Sequence, residues 1–281
     1  MEEVDKSYLR EPAVAGAFYP GNERTLSSQV DDLLSRVSDV AIKGQPLALV
    51  SPHAGYVYSG GVAAWGYRQL RGKHFDTVVL IGPCHRAFMR ESSIYAKGGF
   101  KTPLGVVEID TALAEEIMSR ANRIVFEPRA HQGEHSLEVQ LPFLQRTLKD
   151  FKIVPIVMGA QSKSYCDELS RAVVEAVRGK SVLLIASTDL SHYHPYNVAV
   201  KLDEILIRSV EAYDPERLSE DLEAGRCEAC GGGPTVATLM ACRALGADGV
   251  KVLKYANSGD VSGDKSRVVG YMSGVVYKEE G

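Results

Sequence analysis

Apolar residues fall along this chain in two patterns, and the patterns alternate. Short continuous runs (Leu47-Ala48-Leu49-Val50, Thr77-Val78-Val79-Leu80-Ile81, Val182-Leu183-Leu184-Ile185-Ala186) have the length and composition of strands buried on both faces. Between them apolar positions recur at helical spacing, as in Leu26, Val30, Leu33, Leu34 and Val37, which predicts a helix over 23–37. The same reading predicts strands over 47–51, 77–82, 152–158, 181–187, 251–256 and 267–277, with short β segments in 91–109. Helices are predicted over 111–121, from Leu137 to about Leu148, and over 163–178, 198–210, 217–224 and 235–245, with another initiated at Gly60-Gly61. Residues 1–20 read as irregular, Gly259–Gly263 as a hairpin loop, and Pro155 inside strand 152–158 as the mark of an edge or a bulge. Regular alternation without a long polar linker predicts a single three-layer α/β domain over 1–281 with a mostly parallel central sheet.

In such a sheet the loops after the carboxyl ends of the strands form the ligand crevice. Two of these loops begin with a histidine: His53 in Ser51-Pro52-His53-Ala54-Gly55-Tyr56, and His85 in Gly82-Pro83-Cys84-His85. Each alone reads equally well as a turn histidine bonded to backbone or as part of a metal or acid–base site. Asp189 and His192 follow the most apolar strand. On a turn or a first helical turn they would point the same way, as a base with its orienting carboxylate or as two metal ligands. The alternative is a helix cap from Ser187, Thr188 or Asp189, against which the flanking His194 argues. Glu134-His135-Ser136-Leu137-Glu138 opens a predicted helix, so its acids read as capping, and His131 and His135 beside glycine also suit a site.

Cys227 and Cys230 form an isolated Cys-x-x-Cys that fits neither a structural zinc site nor a redox motif in its usual context. Cys230-Gly231-Gly232-Gly233-Pro234 places a thiol just before a helix start, with Pro234 suited to the first helical position. A glycine-rich turn with a buried cysteine, or a phosphate-binding turn, are the other readings of the same residues.

Composition narrows the classes. A formal net charge of −4 without blocks of like charge leaves no electrostatic footprint for nucleic acid or a membrane surface. The apolar runs are far shorter than a membrane helix, and the charged N-terminal residues do not read as a secretory signal. Five cysteines without a framework spacing point to a reducing, cytoplasmic setting.

Taken in order, Pro12–Pro20, Pro52–Gly60, Gly82–His85, Glu134–Pro142, Ser187–Tyr193 and Cys230-Gly231 resemble the motifs of the Memo family across nearly the whole chain. Prokaryotic members are often called AmmeMemoRadiSam system protein B. The resemblance implies a fold similar to class III extradiol dioxygenases, in which two histidines and a carboxylate hold iron. By that resemblance His53, His85 and Cys230 are the metal ligands, the cysteine standing in the carboxylate's place. His192, Asp189 and His135 then line the pocket, His192 as the acid–base histidine. The softer thiolate favours Fe(II) or copper, with zinc as the hydrolytic variant. Cys84 and Arg86 depart from the family pattern; Cys84 could join the site or bridge to Cys230, and Arg86 could meet an anionic ligand. The expected function is a metal-binding, redox-type protein. The alternatives are a module that captures a small molecule, anion or peptide, or a subunit that works with an AMMECR1-like or radical-SAM partner.

Overall fold

Strand and helix alternate through the computed structural model, which describes residues 6–38 and 40–279. In chain order the elements are β1 (Leu9–Arg10), α1 (Glu23–Ser35), β2 (Gly44–Ser51), α2 (Tyr56–Arg68), β3 (Thr77–Pro83), β4 (Ser92–Ile94), β5 (Gly99–Thr102), β6 (Gly105–Glu108), α3 (Thr111–Ser119) and β7 (Ile124–Val125). There follow α4 (Leu141–Thr147), β8 (Lys152–Met158), α5 (Lys163–Val177), β9 (Val182–Ser187), β10 (His192–His194), α6 (Tyr196–Glu211), α7 (Pro215–Glu223), α8 (Gly232–Ala244), β11 (Gly249–Asn257), α9 (Ser258–Ser262) and β12 (Val268–Glu279). Short 3₁₀ turns span Lys6–Tyr8, Pro128–His131 and Glu138–Gln140.

The central sheet runs β10-β12-β2-β9-β3-β8-β4-β7, with β11 also paired to β12. Its middle, β2-β9-β3-β8, is parallel, while β12, β11 and β10 join antiparallel on one side and β4 joins antiparallel on the other. A small second sheet, β1-β5-β6, lies apart from it. Successive strand residues point to opposite faces, and both faces are buried. Val50, Val79, Ile81, Ile156 and Leu184 pack with Ile117 of α3, Leu169 and Val173 of α5 and Val236 and Leu239 of α8. Leu49, Leu80, Val157 and Ile185 pack on the opposite side with Leu26 and Val30 of α1, Tyr67 of α2 and Phe143 of α4. The expected three-layer α/β architecture with a mostly parallel sheet is what the chain adopts.

Several local expectations give way to tertiary packing. Helix α2 starts at Tyr56, not at Gly60; a Cβ on Gly60 would lie 2.9 Å from Leu33 Cδ1, so this glycine closes the α1–α2 contact. The helix expected from Leu137 is split into a 3₁₀ turn and α4. A continuous helix would need an N–H at position 142 to reach the Glu138 carbonyl, and Pro142 has none. Strand β8 is interior and carries no edge. Tyr95 N donates to the Pro155 carbonyl, so the missing Pro155 N–H faces the same side. It sits there in the gap between β4, paired with 156–158, and the Ile109–Ile153 bridge. Residues 259–263 do link the antiparallel neighbours β11 and β12, as a hairpin loop would, but 259–262 lie in the one-turn helix α9, which a capping box between Asn257 and Asp260 opens and Gly263, at φ 79°, closes. Helix α8 begins at Gly232, which makes Pro234 its third residue, still where no intrahelical N–H partner is required. The opening segment expected to be irregular holds β1 and a turn, and residues 1–5 lie outside the described residues.

Candidate metal centre

Strands β2, β9 and β3 are neighbours, and each delivers a polar loop past its carboxyl end. His53 follows β2, Asp189 and His192 follow β9, and His85 follows β3; Cys230 arrives from the turn before α8. Together they line a cavity of about 790 Å³, with His135, Phe18, Tyr58, Tyr193 and Tyr271 in its walls. One ligand atom each from His53, His85 and Cys230 lie within 4.8 Å of one another.

His53 is buried, with Nε2 3.1 Å from Cys230 Sγ and Nδ1 2.9 Å from Ser187 Oγ. Burial first, then the neighbouring His135 and His85, hold its pKa well below the usual histidine value, so the ring is neutral and able to ligate. His85 is held by Glu134, whose Oε2 accepts from His85 N at 2.6 Å and whose Oε1 lies 3.0 Å from His85 Nδ1. Burial pushes the Glu134 carboxyl up, but His85 and the backbone donors outweigh it and bring it down to about 2. Glu134 thus orients the His85 imidazole through both its backbone N–H and its Nδ1, in the way a carboxylate positions a histidine for ligation. Glu134, His85 and His135 also cluster within 4.8 Å. Glu134 Oε1, however, already accepts from His135 N and Ser136 N at 2.9 Å, so its acceptor capacity is spent on the loop.

Cys230 is placed by hydrogen bonds along its turn: its N donates to the Asp189 carbonyl at 3.2 Å, Asp189 N donates to its Sγ at 3.3 Å, Gln161 Nε2 donates to its carbonyl at 2.8 Å, and Gly231 N donates to Thr188 Oγ1 at 3.0 Å. A Cβ on Gly231 would stand 2.2 Å from the Ser187 carbonyl, so only glycine lets this turn lie against the end of β9. Burial, and then the Asp189 carboxylate, push the Cys230 thiol well up. A cation between sulfur and imidazole would reverse that preference and deprotonate it.

Asp189 and His192 do not form the pair expected of them. Asp189 Oδ1 accepts from His53 N at 2.8 Å, and burial raises its carboxyl to about 7 against the pull of that donor. His192 Nδ1 instead lies 2.7 Å from the Leu190 carbonyl, which can only accept, so Nδ1 carries the proton and Nε2 is free. The segment is the short strand β10 on β12, neither a turn nor a helical start, and Tyr193 sits in the left-handed region at φ 63°. His194 turns away to Glu228 Oε2, at 2.9 Å.

His135 stacks on His85, with ring centroids 4.9 Å apart, and meets Phe18 edge-on at 5.0 Å. Its Nδ1 is buried without a hydrogen-bond partner, 3.5 Å from Glu134 Oε1. His131, which the sequence offered beside it, is outside the site: its Nε2 lies against the Ser93 carbonyl and hydroxyl, with its ring edge-on to Tyr95 and Phe100. Cys84 donates to the Ala87 carbonyl at 3.4 Å and is a free thiol, as Cys230 is, so no bridge joins them. Arg86 is exposed. Glu134 and Ser187 were read from sequence only as capping residues, and Phe18 and Tyr271 of the aromatic wall were not singled out. Glu134 had a signal in its place beside His135, but its partner lies 49 residues away.

The fold and the histidine–cysteine cluster define an α/β protein with a candidate transition-metal crevice at the carboxyl end of its sheet. The chain belongs to the Memo family: a sequence model described as Memo-like protein matches residues 10–275. It is 38% identical over 279 residues to a MEMO1 family protein of Methanobrevibacter smithii, covering 95% of this chain and 99% of that one. It is 40% identical over 280 residues to one of Thermotoga neapolitana, with the same coverages. It is 39% identical over 279 residues to one of Pyrobaculum aerophilum, covering 96% and 99%. Among solved structures, an uncharacterized Escherichia coli K12 protein, JW3007, shares the fold at a TM-score of 0.56 and 14% identity, over 82% of this chain and 99% of that one.

Proposed function

We propose that this chain is a metal-binding, redox-type protein in which His53, His85 and Cys230 hold one iron or copper ion, with zinc as the hydrolytic alternative. The observation that carries this reading is the convergence of two imidazoles and a thiol within 4.8 Å, one imidazole braced by Glu134. Nitrogen and sulfur donors suit borderline and soft metals, and a three-residue set leaves coordination for a substrate. Bound there, iron or copper would supply one-electron chemistry toward O₂ or an oxidised small molecule. The chain's own residues do the rest. His192, with Nδ1–H tied to the Leu190 carbonyl, presents Nε2 to take up and return a proton. Asp189 stays on the His53 backbone and holds the loop, and His135 with Phe18 closes one wall. The five free thiols suit a reducing cytoplasmic compartment, and no helix among the described residues is long and apolar enough to cross a membrane.

A second reading rests on the rim. Val57 and Tyr58 at the start of α2, Phe88 in the loop after β3 and Tyr193 in β10 are exposed, and Arg267 lies over the Tyr193 ring at 5.1 Å. Such a rim suits capture of a peptide or small anion, or docking of an AMMECR1-like or radical-SAM partner. Elemental analysis after anaerobic purification and reconstitution tests the first reading. The expected result is about one equivalent of iron or copper on the wild type and none on a His53→Ala/Cys230→Ser variant. Equal metal content in both proteins would sink it and leave the rim as the functional feature.

A further inference from the structure

The ligating role of His53 depends on which ring nitrogen carries its proton, and a hydroxyl partner such as Ser187 can be donor or acceptor. The surrounding groups decide the matter. Ser187 Oγ lies 2.6 Å from the Ser136 carbonyl, which can only accept, so the single Ser187 hydrogen points there. Gln140 Nε2 approaches Ser187 Oγ at 2.8 Å and the Pro52 carbonyl at 3.0 Å. Were the Gln140 amide turned over, its oxygen would face the Pro52 carbonyl, lone pair against lone pair. In the orientation the Pro52 carbonyl sets, Tyr67 Oη donates to Gln140 Oε1 at 2.6 Å and completes the amide's contacts. Every member of this chain is buried, so water cannot substitute for a missing partner. With its hydrogen given to Ser136 and one lone pair taken by Gln140, Ser187 can only accept from His53 Nδ1, 2.9 Å away. The remaining nitrogen, Nε2, then carries a lone pair directed at Cys230 Sγ.

We propose that Ser187, set by Gln140 and Tyr67, is a positioning residue that holds His53 as the Nδ1–H tautomer and so keeps Nε2 available as a donor on the Cys230 side of the crevice. The inference rests on the metal-site reading for its purpose, but the tautomer can be read without metal. Long-range ¹H–¹⁵N correlation spectra of the metal-free, histidine-labelled protein report it directly, with His53 assigned by the signals lost in His53→Ala. The wild type should show Nδ1–H at His53. Ser187→Ala should move His53 toward Nε2–H and weaken Zn(II), measured by chelator competition, by roughly 10–100-fold, the usual loss for an outer partner of a ligating histidine. Ser187→Thr, which keeps the hydroxyl, should restore both readouts, which a merely structural role would not do. An Nε2–H tautomer in the wild type, or an unchanged tautomer and Zn(II) affinity in Ser187→Ala, overturns the inference. If the tautomers behave as expected while no protein binds Zn(II), iron or copper, the positioning assignment stands and the metal reading falls.

Discussion

Glu138 offers a quantitative test of how the cavity wall is built. Its carboxylate is fully buried, and each oxygen accepts twice: Oε1 from Val14 N at 3.0 Å and Tyr19 Oη at 2.6 Å, Oε2 from Arg10 Nη1 and Ala13 N, both at 2.7 Å. These donors all belong to the N-terminal segment that carries Ala17 and Phe18 into the cavity wall. In Glu138→Gln one of the two oxygens becomes an NH₂, so two of the four donors lose their acceptor whichever way the amide turns. Two orphaned buried donors cost about 1–3 kcal/mol each, and the Arg10 guanidinium, itself buried, is left without a counter-charge. Breaking a buried pair by removing one partner costs about 3–5 kcal/mol, and the two routes agree. Replacing both charges by apolar residues, as in Arg10→Met/Glu138→Leu, should not rescue the loss, because Ala13 N, Val14 N and Tyr19 Oη would still lack an acceptor. Urea unfolding gives the magnitude, and amide exchange at Ala13 and Val14 locates it. A loss below about 1 kcal/mol, or unchanged protection of those two amides, would refute the reasoning.

Two further outcomes follow from individual residues. His131 is buried neutral, and burial, assisted by the Arg10 charge, lowers its pKa to about 3. Its contribution is therefore complete above about pH 6.5, where the unfolded chain is also neutral. It is lost as pH falls toward 3, at no more than about 1.4 kcal/mol per pH unit, because only the unfolded chain takes up the proton in that window. His131→Gln should flatten the pH dependence of the urea midpoint of the metal-free protein between pH 6.5 and 4, and an unchanged slope would count against this. Glycine substitutions should split by position: Gly231→Ala, whose Cβ would meet backbone at 2.2 Å, should cost about 1–3 kcal/mol and weaken metal binding by displacing Cys230. Gly61→Ala, inside α2 with nothing within 4 Å, should stabilise by about 0.5–1 kcal/mol, and equal effects at the two positions would contradict the packing argument.

The periods of the apolar pattern were enough to read the order of strands and helices and the burial of both sheet faces, because each side chain's face follows from local geometry alone. His53 and His85 were legible as candidates since each closes an apolar strand, and the carboxyl ends of parallel strands share one edge of the sheet. What the chain pattern could not carry was every relation between loops. That Asp189 grips His53 and leaves His192 to the Leu190 carbonyl depends on β9 lying between β2 and β3, a strand order that no local period encodes. That His131 is structural while His135, four residues on, faces the cavity depends on Arg10, which reaches across 121 residues to the His131 carbonyl. Glu134, Ser187 and Gln140 act through hydrogen bonds that are short in space and long in sequence, so their roles came into view only when the tertiary structure brought their partners within reach.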